Sequence, residues 1–158
     1  MGKELKTNAV RFLEKCGIAY EIQTYECEEF IDGIHVAEKL GQPLEETFKT
    51  LVAQGKSGSY YCFLLPVALE LDLKKAAKSV GEKSVELLHV KDITKVTGYV
   101  RGGCTPIGMK KQFMTVVDKS GEELEKFYIS GGRIGTQIRL SPGQLVKAIR
   151  GKFEDIVQ

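Results

Sequence analysis

The sequence predicts an α+β domain in which short helices flank a mixed or largely antiparallel sheet. Some segments place apolar residues at helical spacing of three and four, whereas others alternate apolar and polar residues as strands do. Short glycine- and serine-rich links join several predicted strands, which favours hairpins over a doubly wound parallel sheet. The chain has 158 residues, of which 42% are hydrophobic, enough for one domain with a core. We therefore expect a single domain over residues 1–158.

The N-terminal half contains two predicted helices and three predicted strands. The first helix is amphipathic and ends at Gly17, a residue that suits a helix C-terminus. Its apolar residues at helical spacing are Leu5, Ala9, Phe12, Leu13 and Cys16. The strand IAYEIQTY follows, and DGIHVAEKLG predicts a short helix that begins near Asp32 and ends at Gly41. A predicted hairpin then joins FKTLVAQ to YYCFLLPV across GKSGS, with Pro66 closing the second strand.

The C-terminal half continues the mixture of short helices and strands. A helix is predicted over LDLKKAAKSVG, a strand over KSVELLH and a capped helical turn over KDITKVTG. Three further strands are predicted over FMTVVD, KFYIS and TQIRL. The last helix begins at Ser141 and Pro142, a cap followed by a first-turn proline, and runs to about Ile149.

The charge balance argues against a strongly nucleic-acid-binding surface. Lys and Arg number 23 and Asp and Glu 21, which gives a net charge of +2. No apolar run approaches the roughly 18 residues that a membrane span needs. The start MGKELKTN lacks the apolar centre of a secretory signal. These features predict a cytoplasmic protein that does not enter a membrane.

The four cysteines are too scattered to indicate a redox pair or a metal site. Cys16, Cys27, Cys62 and Cys104 form no CxxC motif, and we expect no disulfide, no metal and no cofactor. Cys16 and Cys62 are predicted to be small core residues. Cys104 lies in a glycine-rich segment, but neither histidine of the chain lies in a partner motif for a catalytic thiol.

Two polar residues interrupt the strand in TFKTLV. On an alternating strand, Lys49 and Thr50 point to opposite faces, so one of them can face a pocket. The simpler interpretation is a solvated lysine on an open sheet face. The alternative is a cation that meets a phosphate or a polarised carbonyl in a partly dry site.

Two glycine-rich loops carry the other unusual chemistry. TGYVRGGCTPIG contains Gly102 and Gly103, and YISGGRIGTQI contains Ser130 and Gly131. Each is either a tight turn, the second with a basic tip at Arg133, or a cradle whose main-chain amides bind an anion or a carbonyl. Neither loop has the spacing of a Walker loop or of a dinucleotide-binding fingerprint.

Taken together and in order, these motifs resemble the YbaK/EbsC family over nearly the whole chain. The matching segments are VAEKLG, FKTLV, LDLKKAAKSVG, TGYVRGGCTPIG, YISGGRIG and the final DI. The resemblance implies a bacterial trans-editing deacylase that hydrolyses mischarged Cys-tRNA(Pro). It also implies an α+β fold with a mixed, partly barrel-like sheet, related to the editing domain inserted in many bacterial prolyl-tRNA synthetases.

The same resemblance implies roles for particular residues. Lys49 matches the lysine that the family requires for activity. The implied substrate-binding residues are Tyr25 and Phe30 as pocket aromatics, Thr50 beside the lysine, Gly102 and Gly103 facing the aminoacyl group, and Ser130 and Gly131 as a second wall. Relatives usually carry isoleucine and serine where this chain has Cys104 and Thr105, which leaves the amino-acid preference open.

The implied chemistry needs no nucleophile from the protein, because a cysteinyl ester carries its own thiol beside the carbonyl. Lys49 and the amides of Gly102, Gly103 and Gly131 are the expected donors to the substrate. One alternative is a deacylase for another small aminoacyl-tRNA, such as Ala-tRNA(Pro), that uses a bound water. Another is a non-catalytic module that binds an RNA end or a nucleotide. The expected partners are the 3′ end of tRNA(Pro) and prolyl-tRNA synthetase.

Overall fold

A computed structural model describes residues 7–26, 32–109 and 111–158, and it confirms the α+β class. Within those residues there are five α-helices: α1 Asn8–Cys16, α2 Gly33–Leu40, α3 Leu73–Ser79, α4 Val90–Thr97 and α5 Pro142–Ile149. There are eight strands: β1 Tyr20–Thr24, β2 Phe48–Gly55, β3 Tyr60–Pro66, β4 Val85–Leu87, β5 Met114–Asp118, β6 Phe127–Ser130, β7 Thr136–Leu140 and β8 Lys152–Glu154. None of the described helices has the length and apolar character that crossing a bilayer requires.

The predicted capping residues lie at the ends of these helices in the structure. The Asp32 carboxylate accepts a hydrogen bond from the His35 amide at the start of α2, and Ser141 caps α5 in the same way. α1 and α2 end at Gly17 and Gly41, each with φ near 70° in the left-handed region. That conformation costs glycine little, which explains why both helices stop there.

The strands form two sheets. One is antiparallel with the order β1-β7-β6, and the other has the order β4-β2-β3-β5-β8. In the second sheet β2 pairs antiparallel with both neighbours, whereas β3, β5 and β8 run parallel. The expected partly barrel-like character is not confirmed, because the described strands form two sheets and no closed barrel. An isolated parallel bridge between Thr47 and Tyr128 joins them.

The main core lies between these sheets and two helices. Phe48 of β2 and Phe127 of β6 pack edge to face, with ring centroids 5.0 Å apart. Buried residues of α1 and α5, including Leu13 and Leu145, complete the cluster. Full burial of such a side chain stabilises the fold by about 1.5–3 kcal/mol, so this core holds the two sheets against each other.

Cys16 and β8 differ from the sequence expectation. Cys16 is exposed, because the buried residues of α1 end at Leu13 and the last turn extends past them. Cys62 is buried, as predicted. The short strand β8 was not predicted. Its three residues become a strand only through parallel pairing with β5, which lies far away in the sequence.

Candidate functional site

A cleft of about 390 Å³ lies between the open part of β2, the start of α2 and the two glycine-rich loops. This volume is within the usual range for small-ligand sites. Five of the predicted site residues line it: Tyr25, Lys49, Thr50, Gly102 and Ser130. Gly103 and Gly131 adjoin the cleft residues but do not line it, and Phe30 lies outside the described residues.

Lys49 is a half-buried residue that brings its ammonium group to this cleft. It lies on β2 opposite Leu65 of β3. Its Nζ donates one hydrogen bond, to the carbonyl oxygen of Val67, at the long distance of 3.4 Å. An ammonium has three hydrogens to donate. Because the described residues accept only one of them, at least two are available to a ligand.

Thr50 lies where β2 pairs with no described strand on one side. β4 pairs only with Ala53–Gly55, and the bridge to Tyr128 is at Thr47, so the edge of β2 between them, at Thr50, is unpaired among the described residues. In antiparallel pairing, alternate residues turn their N–H and C=O groups to opposite edges. The Gly55 amide donates to Ser59 on the β3 side, and alternation from there turns the main chain of Thr50 toward the open edge. The Thr50 hydroxyl is shut off from solvent without a described partner, so what this residue offers a ligand is its main chain at the open edge.

The two glycine-rich loops contact each other and form one wall. The Ser130 hydroxyl donates a hydrogen bond to the carbonyl oxygen of Gly102 over 3.1 Å. A Cβ added to Gly103 would lie 2.6 Å from the Cα of Arg133. Because that is far closer than two carbons can approach without a shift of the main chain, glycine is required here for the loops to meet.

The main-chain amides of these loops are less available than the sequence suggested. The Gly103 amide donates to the carbonyl of Val100 at 2.9 Å, and the Gly131 amide donates to the carbonyl of Thr136 at 2.8 Å. Both amides are therefore used within turns, and the expectation that they donate to a substrate is wrong. The Gly102 amide has no acceptor among the described residues.

Cys104 lines the cleft but does not have the character of a catalytic thiol. Its side chain is buried, 8% exposed, in a cluster with Tyr99 and Phe113. Burial raises the pKa of the Cys104 thiol to about 11. A nucleophilic cysteine needs a lowered pKa, so this thiol is protonated near neutral pH and serves packing.

Charged groups at the cleft have both signs. Asp32 lines the cleft beside Glu70 and Arg101. The pKa of Asp32 is lowered, first by the hydrogen bond from the His35 amide and then by the His35 side chain, whose Nδ1 lies 2.6 Å from the carboxylate. The same contact raises the pKa of His35. Within the described part of the chain, no group of three or more metal-binding side chains is placed to hold a metal ion.

A buried network of amide side chains at the cleft was missed by the sequence reasoning. Gln42 lies just after α2, and its Nε2 donates to Gln137 Oε1 at 2.5 Å and to Gln23 Oε1 at 3.0 Å. The Thr47 hydroxyl has one hydrogen, which it donates chiefly to Pro43 O at 2.9 Å, and it lies 3.4 Å from Gln42 Oε1. Thr47 and Gln137 line the cleft. No local motif marks these residues, since Gln42 and Gln137 are 95 positions apart.

Solved structures share this fold. A candidate trans-editing enzyme for prolyl tRNA synthetase superposes with a TM-score of 0.84, over 98% of this chain and 99% of that one, at 23% identity. The class is therefore an α+β domain of the type found in that enzyme.

Sequence comparison identifies the family. Residues 33–148 match the aminoacyl-tRNA editing domain. EbsC of Enterococcus faecalis, by name a candidate Cys-tRNA(Pro)/Cys-tRNA(Cys) deacylase, is 41% identical over 96% of this chain and 93% of its own length. A proline–tRNA ligase of Fervidobacterium nodosum is 29% identical over 61% of this chain and 16% of the ligase. The chain belongs to the aminoacyl-tRNA editing domain family, as the YbaK/EbsC resemblance indicated.

Proposed function

We propose that this protein deacylates mischarged aminoacyl-tRNA in trans, with Cys-tRNA(Pro) as its substrate. The observation that carries the proposal is the position of Lys49: its ammonium lies in the same cleft as Gly102 and Ser130. Membership of the aminoacyl-tRNA editing domain family and the likeness to EbsC support a deacylase. The cleft then receives the terminal adenosine and its aminoacyl ester.

The proposed reaction uses the thiol of the substrate. The cysteinyl sulfur attacks its own carbonyl carbon, the ester C–O bond breaks, and the ribose oxygen takes up the thiol proton. Cysteine leaves as a four-membered thiolactone, which water opens. Well-oriented intramolecular attack reaches effective concentrations of about 10⁵–10⁸ M, and ring strain cancels part of this gain.

Lys49 supplies charge in this scheme. Its ammonium donates to the terminal phosphate or to the carbonyl oxygen as negative charge develops there. The side chain is half-buried, and a preorganised donor in a partly dry site stabilises a transition state more than the same group does in water. The protonated Cys104 takes no part, since burial raises its pKa to about 11.

One alternative chemistry has a specific observation in its favour. The main chain of Thr50 faces the unpaired edge of β2 and Thr50 lines the cleft, so its N–H and C=O groups can hold a water molecule there. A water held there would attack esters that carry no thiol, such as that of Ala-tRNA(Pro). This reaction releases alanine and serine as readily as cysteine, whereas attack by the substrate thiol does not.

The proposed partners are the 3′ end of tRNA(Pro) and prolyl-tRNA synthetase. A net charge of +2 gives little nonspecific affinity for RNA, because phosphate neutralisation supplies most of that affinity. A synthetase that presents the charged tRNA compensates for the weak affinity of this protein for RNA. The reaction is expected in the cytoplasm, where tRNA is charged.

The decisive experiment follows the remaining ester when the purified protein meets Cys-tRNA(Pro), Ala-tRNA(Pro), Ser-tRNA(Pro) and Cys-tRNA(Cys). Loss of the cysteinyl esters alone supports attack by the substrate thiol. Equal loss of the alanyl or seryl ester supports the water mechanism instead. Binding without loss of any ester indicates a non-catalytic RNA-end-binding module and overturns the proposal.

A further inference from the structure

A row of polar side chains crosses the antiparallel sheet toward the cleft. Gln23 of β1 lies directly opposite Gln137 of β7, and Gln137 lies opposite Ser130 of β6. Directly opposite residues in adjacent strands point to the same face of a sheet. Ser130 and Gln137 both line the cleft, so this face forms one of its walls.

Gln42 determines which end of the Gln137 amide faces the cleft. Its Nε2 has two hydrogens, one donated to Gln137 Oε1 and the other to Gln23 Oε1. Its own Oε1 lies 3.4 Å from the Thr47 hydroxyl, whose single hydrogen it shares with Pro43 O. Gln42, Thr47 and Gln137 are at most 7% exposed, so burial and several hydrogen bonds hold the network in place.

The Nε2 of Gln137 is the unused end of this network. Its Oε1 is occupied by Gln42, and its Nε2 donates to no acceptor among the described residues. Unlike the Thr50 hydroxyl, which is shut off from solvent, this nitrogen is accessible, and Gln137 lines the cleft. A neutral amide with its oxygen engaged thus presents N–H donors to a ligand.

The chemistry of the cleft gives such a donor a use. Ester cleavage builds negative charge on the carbonyl oxygen, and donors held in place for that oxygen lower the barrier. The Gly103 and Gly131 amides cannot serve, since both donate to carbonyls within turns. Gln137 Nε2 is a fixed donor on the same wall as Ser130.

We propose that Gln137 donates a hydrogen bond from Nε2 to the carbonyl oxygen of the aminoacyl ester, and that Gln42 is a positioning residue that keeps this nitrogen facing the cleft. The inference rests on the proposed deacylase function and names a donor within it. An amide also repels the α-ammonium of the aminoacyl group, because two donors face each other. The ester is therefore bound with its carbonyl, and not its amine, toward β7.

The first test compares Gln137→Leu and Gln137→Glu with the matched control Gln144→Leu, which changes an exposed glutamine of α5. With Cys-tRNA(Pro), loss of one such donor lowers kcat by about 10²–10³ and leaves KM nearly unchanged. Gln137→Glu loses at least as much, because a carboxylate repels the charged oxygen. Unchanged kcat in both variants overturns the inference. A raised KM with normal kcat also overturns it, because the amide then contacts the ribose or another part of the ground state.

The second test inverts the amide without touching it. In Gln42→Glu the ionised carboxylate accepts hydrogen bonds and donates none. Gln137 therefore turns its Nε2 toward this carboxylate and its oxygen toward the cleft. We expect kcat to fall about as far as in Gln137→Leu while the circular dichroism spectrum stays native. Normal kcat in a folded Gln42→Glu protein contradicts the positioning role. If this variant does not fold, Gln42→Met frees the amide and should give a smaller loss of kcat, and no loss contradicts the role.

The third test separates this inference from the proposed function. A cysteinyl-amino analogue of adenosine has an amide in place of the ester, so it keeps the carbonyl and resists cleavage. Binding of this analogue should shift the side-chain ¹H–¹⁵N signals of Gln137 but not those of Gln144. If the wild-type protein cleaves no ester and the Gln137 signals still shift, the deacylase proposal fails and the contact stands. If the analogue binds and those signals do not move, the contact is refuted.

Discussion

The hydroxyl of Ser130 donates to the carbonyl oxygen of Gly102 over 3.1 Å, across 28 positions of sequence. This bond joins the loop before β5 to the end of β6, so the two glycine-rich segments act as one surface. The carbonyl of Gly102 is occupied by the bond, and the amides of Gly103 and Gly131 are occupied by turns. Gly103 and Gly131 therefore serve close approach of main chains, and the donors left for a substrate are the Gly102 amide and side chains.

Replacement of Lys49 is the most direct check of the catalytic assignment. Lys49→Ala removes the ammonium from the cleft and should lower the deacylation rate by at least about 10²-fold, the cost of one preorganised donor. Its melting temperature should stay near that of the wild type, because Nζ makes a single long hydrogen bond among the described residues. The matched control is Lys56→Ala in the exposed β2–β3 turn. A Lys49→Ala enzyme that works at the normal rate would contradict the assignment.

Gly103→Ala tests the contact between the loops. The added Cβ would lie 2.6 Å from the Cα of Arg133, so the two segments must separate. We expect lower activity and a lower melting temperature. Gly143→Ala, near the start of α5, is the control, since its Cβ would meet only Ser141 Oγ at 3.8 Å and helix propensity favours alanine by up to about 1 kcal/mol. Equal behaviour of the two variants would show that the loops do not need the close approach.

Thr50→Val tests whether the buried hydroxyl serves the substrate or the fold. The hydroxyl has no described partner, so its loss should leave the free energy of unfolding unchanged or raised. The hydroxyl is also shut off from the cleft, so kcat/KM should change little; a fall of about 2- to 13-fold, the loss of a hydrogen bond of about 0.5–1.5 kcal/mol, would show that the hydroxyl reaches the substrate. Thr47→Val is the comparison, because it breaks a 2.9 Å bond to Pro43 and should lower the free energy of unfolding, as urea denaturation measures. A large loss of stability in Thr50→Val would indicate a structural role.

Cys104→Ala tests the protonated thiol, and we expect it to retain turnover of Cys-tRNA(Pro). The folded pKa is raised from 9.0 to about 11 by burial. Below pH 9 the thiol is protonated in both states, and its contribution to stability is fully present. Between pH 9 and 11 only the unfolded thiol ionises, so stability falls by up to about 1.4 kcal/mol per pH unit.

Urea midpoints measured from pH 8 to 11 should therefore decline less in Cys104→Ala than in the wild type. Tyr99, whose pKa is raised to about 12 first by burial and then by the neighbouring Cys104, remains in both proteins, and its smaller shift in the variant acts in the same direction. Loss of turnover in a folded Cys104→Ala protein would restore the thiol as a catalytic candidate. Parallel midpoint curves would show that the thiol is not protonated preferentially in the folded state.

Local features of the sequence predicted most of the elements. Gly17 and Gly41 end helices because they adopt the left-handed conformation, and Asp32 and Ser141 begin helices because their side chains accept from free amides. The β2–β3 hairpin followed from two apolar runs around a glycine-rich turn. Each of these interactions spans few residues, so the sequence nearby contains the information.

Features that depend on distant partners could not be predicted in this way. Parallel pairing makes β8 a strand, and its partner β5 lies more than thirty positions earlier. The Gln42–Gln137 bond joins residues 95 positions apart, and glutamine carries no motif. The use of the Gly103 amide depends on how its turn closes. Lys49 was singled out because its charge interrupts an apolar strand, a contrast that is visible locally.

Main-chain pairing between the two sheets, within the described residues, occurs at the single bridge of Thr47 and Tyr128. The width of the cleft is consequently governed by interior contacts, above all the edge-to-face stack of Phe48 on Phe127. Phe127 does not line the cleft, yet a smaller side chain at this position would let the two sheets move closer together and narrow the cleft. Tolerance for larger or smaller amino acids can therefore drift during evolution through the interior, while every residue that touches the RNA end stays the same.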